Sequence, residues 1–581
     1  GNVYSKTAVM LYNLKYVLGD SLFWKGMQHY FRQWKFCHPY EEDMRNSFTQ
    51  ATHADLTWFF DAWISTDKTI DYAVKRVEHN RRKGDQRIVF RRNGMQMPID
   101  FEVLARNGKT YDFHIPNTWF TKATTATVLP RWIGWDELQR DYTAHVNIPS
   151  GIAEVRIDTS GILADRNALN NSLRTPIDIG FDHHIRNAND RSTYEGFVRP
   201  DAWFNGYDGV KVGAHFHGNY LDTKHRVQAS AWINTGFGQS LPDGGVDTRH
   251  DALSFNVRYE NATDFVLRGS SYNLRARHLD GLGLYGGGLR WQLPGRATVL
   301  SLDAKYMLRA DSSDLTYLLY PGQWELDRWN GIATAQLRDR FDHRGGSLSV
   351  VLRGRSSGVG SQTHFSMISL TAIEQKMLGK LQLRVRLFGQ FADGEVPRES
   401  ALYLAGASPE EMMEDKYVRS IGLVPYDWLG YGADVNHFQH GGGLNLRGYA
   451  GYLAPEAVGT ENALLFTYVG NSGWAANGEL DVDGLFPLRP GFTRRWLHID
   501  AYLFGDIGSI TYLNRNNNQL LAEPRADAGA GFCLTIKRWW RFTDINPLTL
   551  RFDMPLLLSS LPATEEDHLG FRYVVGIGRS F

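Results

Sequence analysis

The chain has 581 residues, which at roughly 150 residues per domain corresponds to about four ordinary domains or fewer large ones. Its 63 basic residues balance its 63 acidic residues, so the composition lacks the basic excess that is typical of nucleic-acid-binding proteins. Apolar residues make up 43%, which excludes a disordered chain, and two distant cysteines, Cys37 and Cys533, exclude a disulfide framework or a thiolate metal cluster.

The first 65 residues carry a helical pattern of apolar side chains. The pattern predicts four helices. The first ends at Gly19, the second contains Phe23, the third follows Pro39 with an acidic first turn, and the fourth contains Phe59. The next hundred residues alternate with period two, in segments that Gly, Asn and Asp interrupt, and this predicts a small β-sandwich over 69–170.

A longer and more regular alternation begins at about residue 176 and continues to residue 581. Residues 253–260, 300–306 and 381–388 each alternate apolar and polar side chains. The strands are long and their polar faces carry many charges, a combination that is typical of a transmembrane barrel with an apolar outer face. At about 25 residues per strand and connection, the segment predicts about 16 antiparallel strands. A large soluble β-protein would show the same alternation, and no apolar stretch is long enough for a transmembrane helix.

The chain ends in an alternation that leads to a terminal aromatic residue, Phe581: Phe571, Tyr573, Val575 and Ile577. This ending resembles the signature by which outer-membrane barrels are recognised by the barrel-assembly machinery. Arg579 departs from it, because an apolar residue is usual at that position.

Two motifs carry a more specific resemblance. Residues 441–449, with the sequence GGGLNLRGY, contain Arg447, Gly448 and Tyr449, and residues 504–508 read FGDIG. The first resembles the inward-folding loop motif V/L-R-G-F/Y of the BamA and two-partner-secretion barrel superfamily, and the second its strand motif F-x-D-x-G. The resemblance implies a 16-stranded barrel in outer-membrane lipid with both chain ends in the periplasm.

These motifs predict an ion pair that holds the loop inside the barrel. The Arg447 guanidinium is a planar fork that a carboxylate such as Asp506 accepts bidentately, and Gly448 and Gly508 leave room for close approach. We expect lumen water to screen the pair. The alternative is that Arg447 and Asp506 are separately solvated in the lumen.

The N-terminal residues have a resemblance of their own. Residues 4–11 (YSKTAVML), 18–30 and 56–63 are similar to the aminopeptidase N family of gluzincin zinc metallopeptidases. The similarity implies that 1–68 is the helical C-terminal part of a catalytic domain and that 69–170 is the β-sandwich that follows it. Tyr4 then corresponds to the tyrosine that donates a hydrogen bond to the oxyanion of the tetrahedral intermediate, although Thr7 replaces the usual glycine. The alternative for Tyr4 is a buried tyrosine at a helix start.

The zinc ligands of that family are missing from this chain. None of its 19 histidines begins the motif H-E-x-x-H, in which two histidines one helical turn apart bind the metal. His183 and His184 are adjacent in a predicted strand, so their side chains diverge, and they are interpreted as a solvated or lumen-lining pair and not as a pair of metal ligands. Residues 410–415 are acidic without the spacing of a calcium loop, which predicts a solvated loop. Zinc is therefore implied for the full-length protein, with its ligands before Gly1.

Two functions are consistent with these patterns. The first is the C-terminal portion of an outer-membrane-anchored zinc aminopeptidase, with peptides as candidate ligands, periplasmic N-terminal domains and the barrel as anchor. The second is a BamA-like translocation or assembly barrel with a peptidase-like periplasmic appendage that does not cut peptides. The fit of the segment around Tyr4 to its family pattern favours the first.

Overall fold

The computed structural model describes residues 2–79, 85–134, 138–182, 190–239, 251–264, 266–309, 324–419, 438–452, 454–458, 463–485, 495–513, 519–539, 545–561 and 566–581. His183 and His184 lie outside these residues. The chain divides into two compact units, one formed by 1–179 with 188–195 and the other by 180–187 with 196–581.

The first unit begins with the four helices that the sequence predicts. They are α1 (Thr7–Leu18), α2 (Asp20–Trp34), α3 (Glu41–Thr52) and α4 (Thr57–Ser65). Gly19 separates α1 from α2 because it adopts a φ of 77°, a left-handed conformation that favours glycine. Among the described residues, the structure contains no helix whose length and hydropathy would let it cross a bilayer.

Two sheets follow the helices and form the predicted sandwich. Their strands are β1 (Tyr72–His79), β2 (Asp85–Arg92), β3 (Ile99–Ala105), β4 (Thr110–Ile115), β5 (Thr127–Val128), β6 (Asp141–Asn147) and β7 (Ile152–Ile157). One sheet has the order β1-β2-β6 and the other β5-β4-β3-β7. Alternate residues of β3 are buried, as expected for a strand with one face in a core.

The helices and the sandwich share one hydrophobic core. It joins Leu14, Phe48 and Phe59 from the helices to Ile88 and Phe101 from the two sheets. The helices and the sandwich therefore belong to one compact unit, and removing either part would expose the apolar face of the other. The domain boundary at residue 68 stays a prediction.

The second unit contains a long series of strands. They are β8 (Ile177–Phe181), β9 (Tyr194–Asn205), β10 (Gly209–Tyr220), β11 (Lys224–Asn234), β12 (Leu253–Ala262), β13 (Ser270–Leu279), β14 (Leu282–Gln292), β15 (Val299–Arg309), β16 (Asn330–His343), β17 (Gly346–Ser357), β18 (Phe365–Leu378), β19 (Leu381–Gly394), β20 (Leu402–Tyr403), β21 (Gln439–His440), β22 (Pro455–Val458), β23 (Ala463–Phe466), β24 (Val469–Gly470), β25 (Gly473–Asp481), β26 (Leu497–Leu513), β27 (Gln519–Leu521), β28 (Arg525–Ile536), β29 (Leu548–Leu558) and β30 (Val574–Ile577).

Most of these strands close into a barrel. Hydrogen-bonded neighbours run from β10 through β19 to β21, then from β25 through β30 to β8 and β9, which closes the ring. From β10 to β19 each strand pairs antiparallel with the next. The ring also includes short segments such as β21 and β27, so the number of 16 strands stays a prediction.

The polarity of the barrel wall is the reverse of that in a water-soluble protein. On β15, Leu300, Leu302 and Tyr306 are exposed at 38%, 58% and 36%, whereas the intervening Asp303 and Lys305 are partly buried. The same apolar exposure continues on other strands, among them Ile368, Leu370, Leu387, Phe391, Leu503 and Phe532. The outer face is therefore apolar over many neighbouring strands.

The segment between β19 and β25 corrects one sequence expectation. Residues 409–412 form a one-turn helix, α5 (Pro409–Met412), and Glu410 is 5% exposed instead of solvated. Its carboxylate is ion-paired with Lys305 of β15 and accepts a hydrogen bond of 2.7 Å from Arg355 of β17. Glu410 is buried because the inner face of the barrel supplies cations that compensate its charge, whereas Glu414 of the same segment is exposed.

The sandwich contains a buried carboxylate whose ionisation couples to folding. Asp165 accepts hydrogen bonds from the backbone N–H groups of Tyr72 and Asn167, at 2.9 and 2.8 Å. Burial of the carboxylate nevertheless dominates and raises the pKa of Asp165 to about 6. Between about pH 4 and 6 the folded unit thus binds more protons at this site than the unfolded chain does.

We therefore expect the free energy of unfolding of the first unit to fall as the pH rises from about 4 to 6. The ionisation of Asp165 accounts for at most about 3 kcal/mol of this decrease. Hydrogen exchange of the β1 and β2 amides, corrected for intrinsic exchange rates, measures this free energy at pH 4 and at pH 7. Asp165→Asn should flatten this pH dependence, because the amide does not ionise. An unchanged slope in the variant would assign the dependence to another group.

Candidate functional site

A loop of residues 438–452 enters the interior of the barrel. It begins at β21, which pairs parallel with β30, and continues into a 3₁₀ turn at Arg447–Tyr449. Leu444 and Leu446 of this loop have no exposed surface. The loop residues thus lie against the inward faces of the strands, opposite to exposed outward residues such as Leu503.

The predicted pair of Arg447 and Asp506 is present with bidentate geometry. The Nε of Arg447 donates to Oδ2 of Asp506 at 2.8 Å, and Nη2 donates to Oδ1 at 3.1 Å. Asp506 faces inward from β26, two residues before Gly508. The two parallel hydrogen bonds fix the plane of the guanidinium as well as its position.

Sequence reasoning missed the other partners of Arg447. Its Nη1 donates to Oε1 of Glu479 on β25 at 2.8 Å and lies 3.6 Å from Oδ1 of Asp553 on β29. The guanidinium carbon also lies 4.2 Å from the ring centre of Phe504, a cation–π contact. One loop residue therefore contacts carboxylates from three strands. The alternation of β25 and β29 was the available signal, since it puts both carboxylates on the polar face.

The expectation that lumen water screens this pair is wrong. The side chains of Arg447, Glu479, Asp506 and Asp553 each have no exposed surface. The loop itself excludes water from the cluster, because Leu444 and Leu446 lie beside it. Asp553 is also ion-paired with Arg551 of β29, and Glu479 lies 3.6 Å from Arg579. Asp506 has no other cation at ion-pair distance among the described residues, so it is the carboxylate that depends most strongly on Arg447.

The two glycines allow the loop to approach the wall. A β-carbon at Gly448 would lie 2.6 Å from Cβ of Asp527 and 2.7 Å from Cδ2 of Leu558. At Gly508 it would lie 2.6 Å from the carbonyl oxygen of Trp474 and 3.0 Å from Cδ1 of Leu446. Any larger residue would push the loop off the wall.

Tyr449 holds the far side of the turn. Its side chain is buried, and its hydroxyl accepts a hydrogen bond from the backbone N–H of Ser560 at 3.1 Å. The same hydroxyl donates to the carbonyl oxygen of Ala526 at 3.3 Å. The turn is thereby attached to β28 and to the segment after β29.

Asn477 and Arg386 extend the network to the neighbouring strands. Asn477 donates to Oδ1 of Asp506 at 3.1 Å and to the carbonyl oxygen of Leu444 at 3.2 Å. Arg386 donates to Oδ1 of Asn477 and to the carbonyl oxygen of Gly443, both at 2.7 Å. Cross-strand pairing of Arg386 with Asn477 brings them together, which the sequence alone does not reveal.

Arg579, which departs from the terminal signature, has a structural role. Its Nη2 donates to Oδ2 of Asp481 at 2.8 Å, and its Nη1 donates to Oδ2 of Asp500 at 2.9 Å. Its Nε lies 3.6 Å from Oε2 of Glu479, so it borders the Arg447 cluster. An apolar residue here would leave these carboxylates without that cation.

Tyr4 belongs to the other compact unit. It lies in the π-helical turn Asn2–Lys6 that precedes α1, and its side chain is 86% exposed. The alternative of a buried tyrosine at a helix start is therefore wrong. Its proposed catalytic role remains a prediction.

The described residues do not fit a zinc site of the peptidase type. Among them, one group of three metal-binding side chains comes together, and it consists of Asp481, Asp483 and Asp500 in the barrel. Arg579 pairs with two of these carboxylates, and the group contains no histidine.

One family model matches the beginning of the chain. The sequence model of the Peptidase family M1 domain, a zinc-dependent family, matches residues 1–63. This confirms the resemblance of the N-terminal residues to these peptidases. A search of curated protein sequences found no match.

Solved structures similar to the chain include outer-membrane barrels. BamA from Haemophilus ducreyi lacking POTRA domains 1–3 is 14% identical, with a TM-score of 0.35 over 66% of this chain and 70% of that one. CdiB from Acinetobacter baumannii is 11% identical, with a TM-score of 0.28 over 66% and 55%. A BenF-like porin from Pseudomonas fluorescens Pf-5 is 7% identical, with a TM-score of 0.33 over 88% and 98%. These TM-scores are low, and the strand pairing of the chain itself defines its barrel.

The geometry of the Arg447 cluster predicts that substitution of Arg447 destabilises the protein more than substitution of Asp506. Arg447→Ala leaves the buried Asp506 with no cation at ion-pair distance among the described residues, although Asp553 keeps Arg551 and Glu479 stays near Arg579. Asp506→Ala, in contrast, leaves Arg447 with both Glu479 and Asp553. We expect the first to lower the free energy of unfolding by about 3–5 kcal/mol and the second by less. The double variant should be little worse than Arg447→Ala alone, since both remove one interaction.

The measurement is the rate of protease cleavage within 438–452, together with urea unfolding. Arg340→Ala is the matched control, because its guanidinium bonds an exposed carboxylate, Asp342, at 2.9 Å. Arg447→Lys keeps the charge but loses the planar fork, and should lie between the wild type and Arg447→Ala. Additive damage in the double variant would contradict a direct interaction between Arg447 and Asp506.

Proposed function

We propose that this chain is the C-terminal portion of an outer-membrane-anchored zinc aminopeptidase-like protein, with the barrel as its membrane anchor. The observation that carries the proposal is the combination of a Peptidase family M1 match over residues 1–63 with a closed barrel whose outer face is apolar. The first supplies the reaction class, and the second supplies the location.

Anchoring in a membrane is supported by the reversed polarity of the wall. Exposed leucine, isoleucine and phenylalanine side chains cover neighbouring strands from β15 to β28, while the charged residues face the interior. Such a continuous apolar surface is unfavourable in water and is matched by lipid tails. Closure of the ring also pairs the backbone groups that a bilayer could not solvate.

The catalytic part of the proposal rests on Tyr4. A phenol remains protonated at neutral pH and can donate a hydrogen bond to a developing oxyanion. The exposed position of Tyr4 leaves its hydroxyl accessible to a substrate. The proposal requires that the natural protein carries H-E-x-x-H before residue 1, since this chain has none.

The alternative is a BamA-like translocation or assembly barrel with a non-catalytic appendage. Degenerate zinc ligands in the intact protein would select it, and an intact H-E-x-x-H would select the peptidase. Mass spectrometry of the N-terminus of the protein isolated from membranes decides whether such a segment precedes residue 1.

Membrane anchoring predicts the extraction behaviour of the protein. We expect it to leave membranes with detergent and not with carbonate or high salt, because the apolar wall needs a lipid-like environment. Heating should then shift its mobility in gel electrophoresis, since a closed barrel has no free edge from which to unfold. Recovery as a soluble monomer in buffer would overturn the anchor.

The peptidase proposal predicts that the enzyme loses activity when the hydroxyl group of Tyr4 is removed. In the intact protein, Tyr4→Phe removes the hydroxyl and should lower kcat for aminoacyl substrates by about 10²–10³ while zinc content is unchanged. Tyr12→Phe is the matched control, because Tyr12 of α1 is also exposed, at 62%. Equal activity of the Tyr4 variant and the wild type would exclude Tyr4 from the reaction.

A further inference from the structure

The interior of the barrel contains a large polar cavity, hereafter the basic chamber. Its volume is about 890 Å³, and it is lined mainly by the inward faces of β9 to β16 and by residues 414–419. A cavity of this size lies within the range of small-molecule binding sites. It lies on a different wall from the Arg447 cluster, which uses β25, β26 and β29.

The lining of the chamber is strongly basic although the chain as a whole is neutral. Among the described residues, ten arginine and lysine side chains line it, against four aspartate and glutamate side chains. Three of these cations have carboxylates outside the lining. Arg199 donates to Asp182 at 2.8 Å, and Lys211 and Arg419 are both ion-paired with Asp280.

The remaining cations still exceed their carboxylates. Glu260 lies 3.6 Å from Arg226 and 3.7 Å from Arg258, both long distances for an ion pair. Glu414 likewise lies between two guanidiniums, those of Arg275 at 3.5 Å and Arg277 at 3.2 Å. Each carboxylate serves two arginines, so one positive charge is left over in each group.

Two further arginines add to this excess. Arg290 of β14 and Arg338 of β16 line the chamber, and within the described part of the chain neither has a carboxylate at ion-pair distance. Arg290 donates weakly to the amide oxygen of Gln292, at 3.4 Å. Their guanidinium groups are accessible, so they can donate to a ligand without breaking an ion pair.

The confinement of the chamber strengthens the effect of these charges. Field lines from charges in a narrow cavity with low-dielectric walls are focused into the cavity and concentrate ions of opposite sign there. Guanidinium groups bind carboxylate and phosphate oxygens in pairs, with geometry that a chloride ion cannot match. Apolar side chains are a minority among the described residues of the lining, so a hydrophobic ligand is disfavoured.

We propose that the basic chamber binds small multivalent anions that carry phosphate or carboxylate groups. Arg258, Arg290 and Arg338 supply donors that no described carboxylate saturates. This site is independent of the peptidase proposal, because it uses none of the residues that support it.

The test is calorimetric titration of the detergent-solubilised protein with tripolyphosphate and, separately, with citrate. Saturable binding of either anion, weakened by added salt, is the expected result. Substitution of all three arginines, Arg258→Gln, Arg290→Gln and Arg338→Gln, should weaken binding at least tenfold, because charge-assisted hydrogen bonds are lost.

Arg340→Gln is the matched control and should leave the affinity unchanged. Arg340 lies on the same strand as Arg338 and on the same face, but it does not line the chamber and already bonds Asp342. Heat-modifiable gel mobility checks that each variant is folded, and Arg338→Gln alone, expected to weaken binding severalfold, replaces the triple variant if that one does not fold. Absence of saturable binding of both anions, or equal affinity in the folded variant and the wild type, would overturn the proposal.

Discussion

The guanidinium of Arg447 is the interaction on which the interior of the barrel depends. It is fully buried and contacts carboxylates on β25, β26 and β29 at once. A buried cation of this kind is stable only when its partners are in position, and Asp506 has no other cation at ion-pair distance among the described residues. The loop and the three strands therefore hold one another in register, and the loop cannot leave without exposing uncompensated charge.

Backbone packing makes this arrangement possible. Gly448 brings the loop within contact distance of Asp527 and Leu558, and Gly508 of the wall leaves room for Leu446 of the loop. Because the loop lies so close, its leucines exclude water from the charges, and the electrostatic interactions gain strength. Packing and charge thus act together: the glycines determine the distance, and the distance determines how strongly Arg447 is held.

Much of this fold follows from local patterns in the sequence. Periodicity predicts α1 to α4, the sandwich strands and the long barrel strands, because each element must direct one face towards a core or a lumen. The pair of Arg447 and Asp506 follows from motif resemblance and the geometry of its groups. The motifs do not predict the other members of the network, because only closure of the ring brings residues of distant strands together. These members are Glu479, Asp553, Asn477 and Arg386. The burial of Glu410 is hidden for the same reason: its cations, Lys305 and Arg355, are more than 50 residues earlier in the chain.

The neutral charge of the chain conceals two opposite interiors. Around Arg447 one cation is shared by three carboxylates, whereas in the basic chamber one carboxylate is shared by two guanidiniums. The Arg447 cluster is closed to water, and its charges hold a loop in place. The basic chamber is open to solvent, so its surplus charge faces water that a ligand can displace. Arginines and carboxylates therefore stabilise the structure in the Arg447 cluster, whereas the arginines of the basic chamber remain available to bind a ligand. Access of water distinguishes the two places.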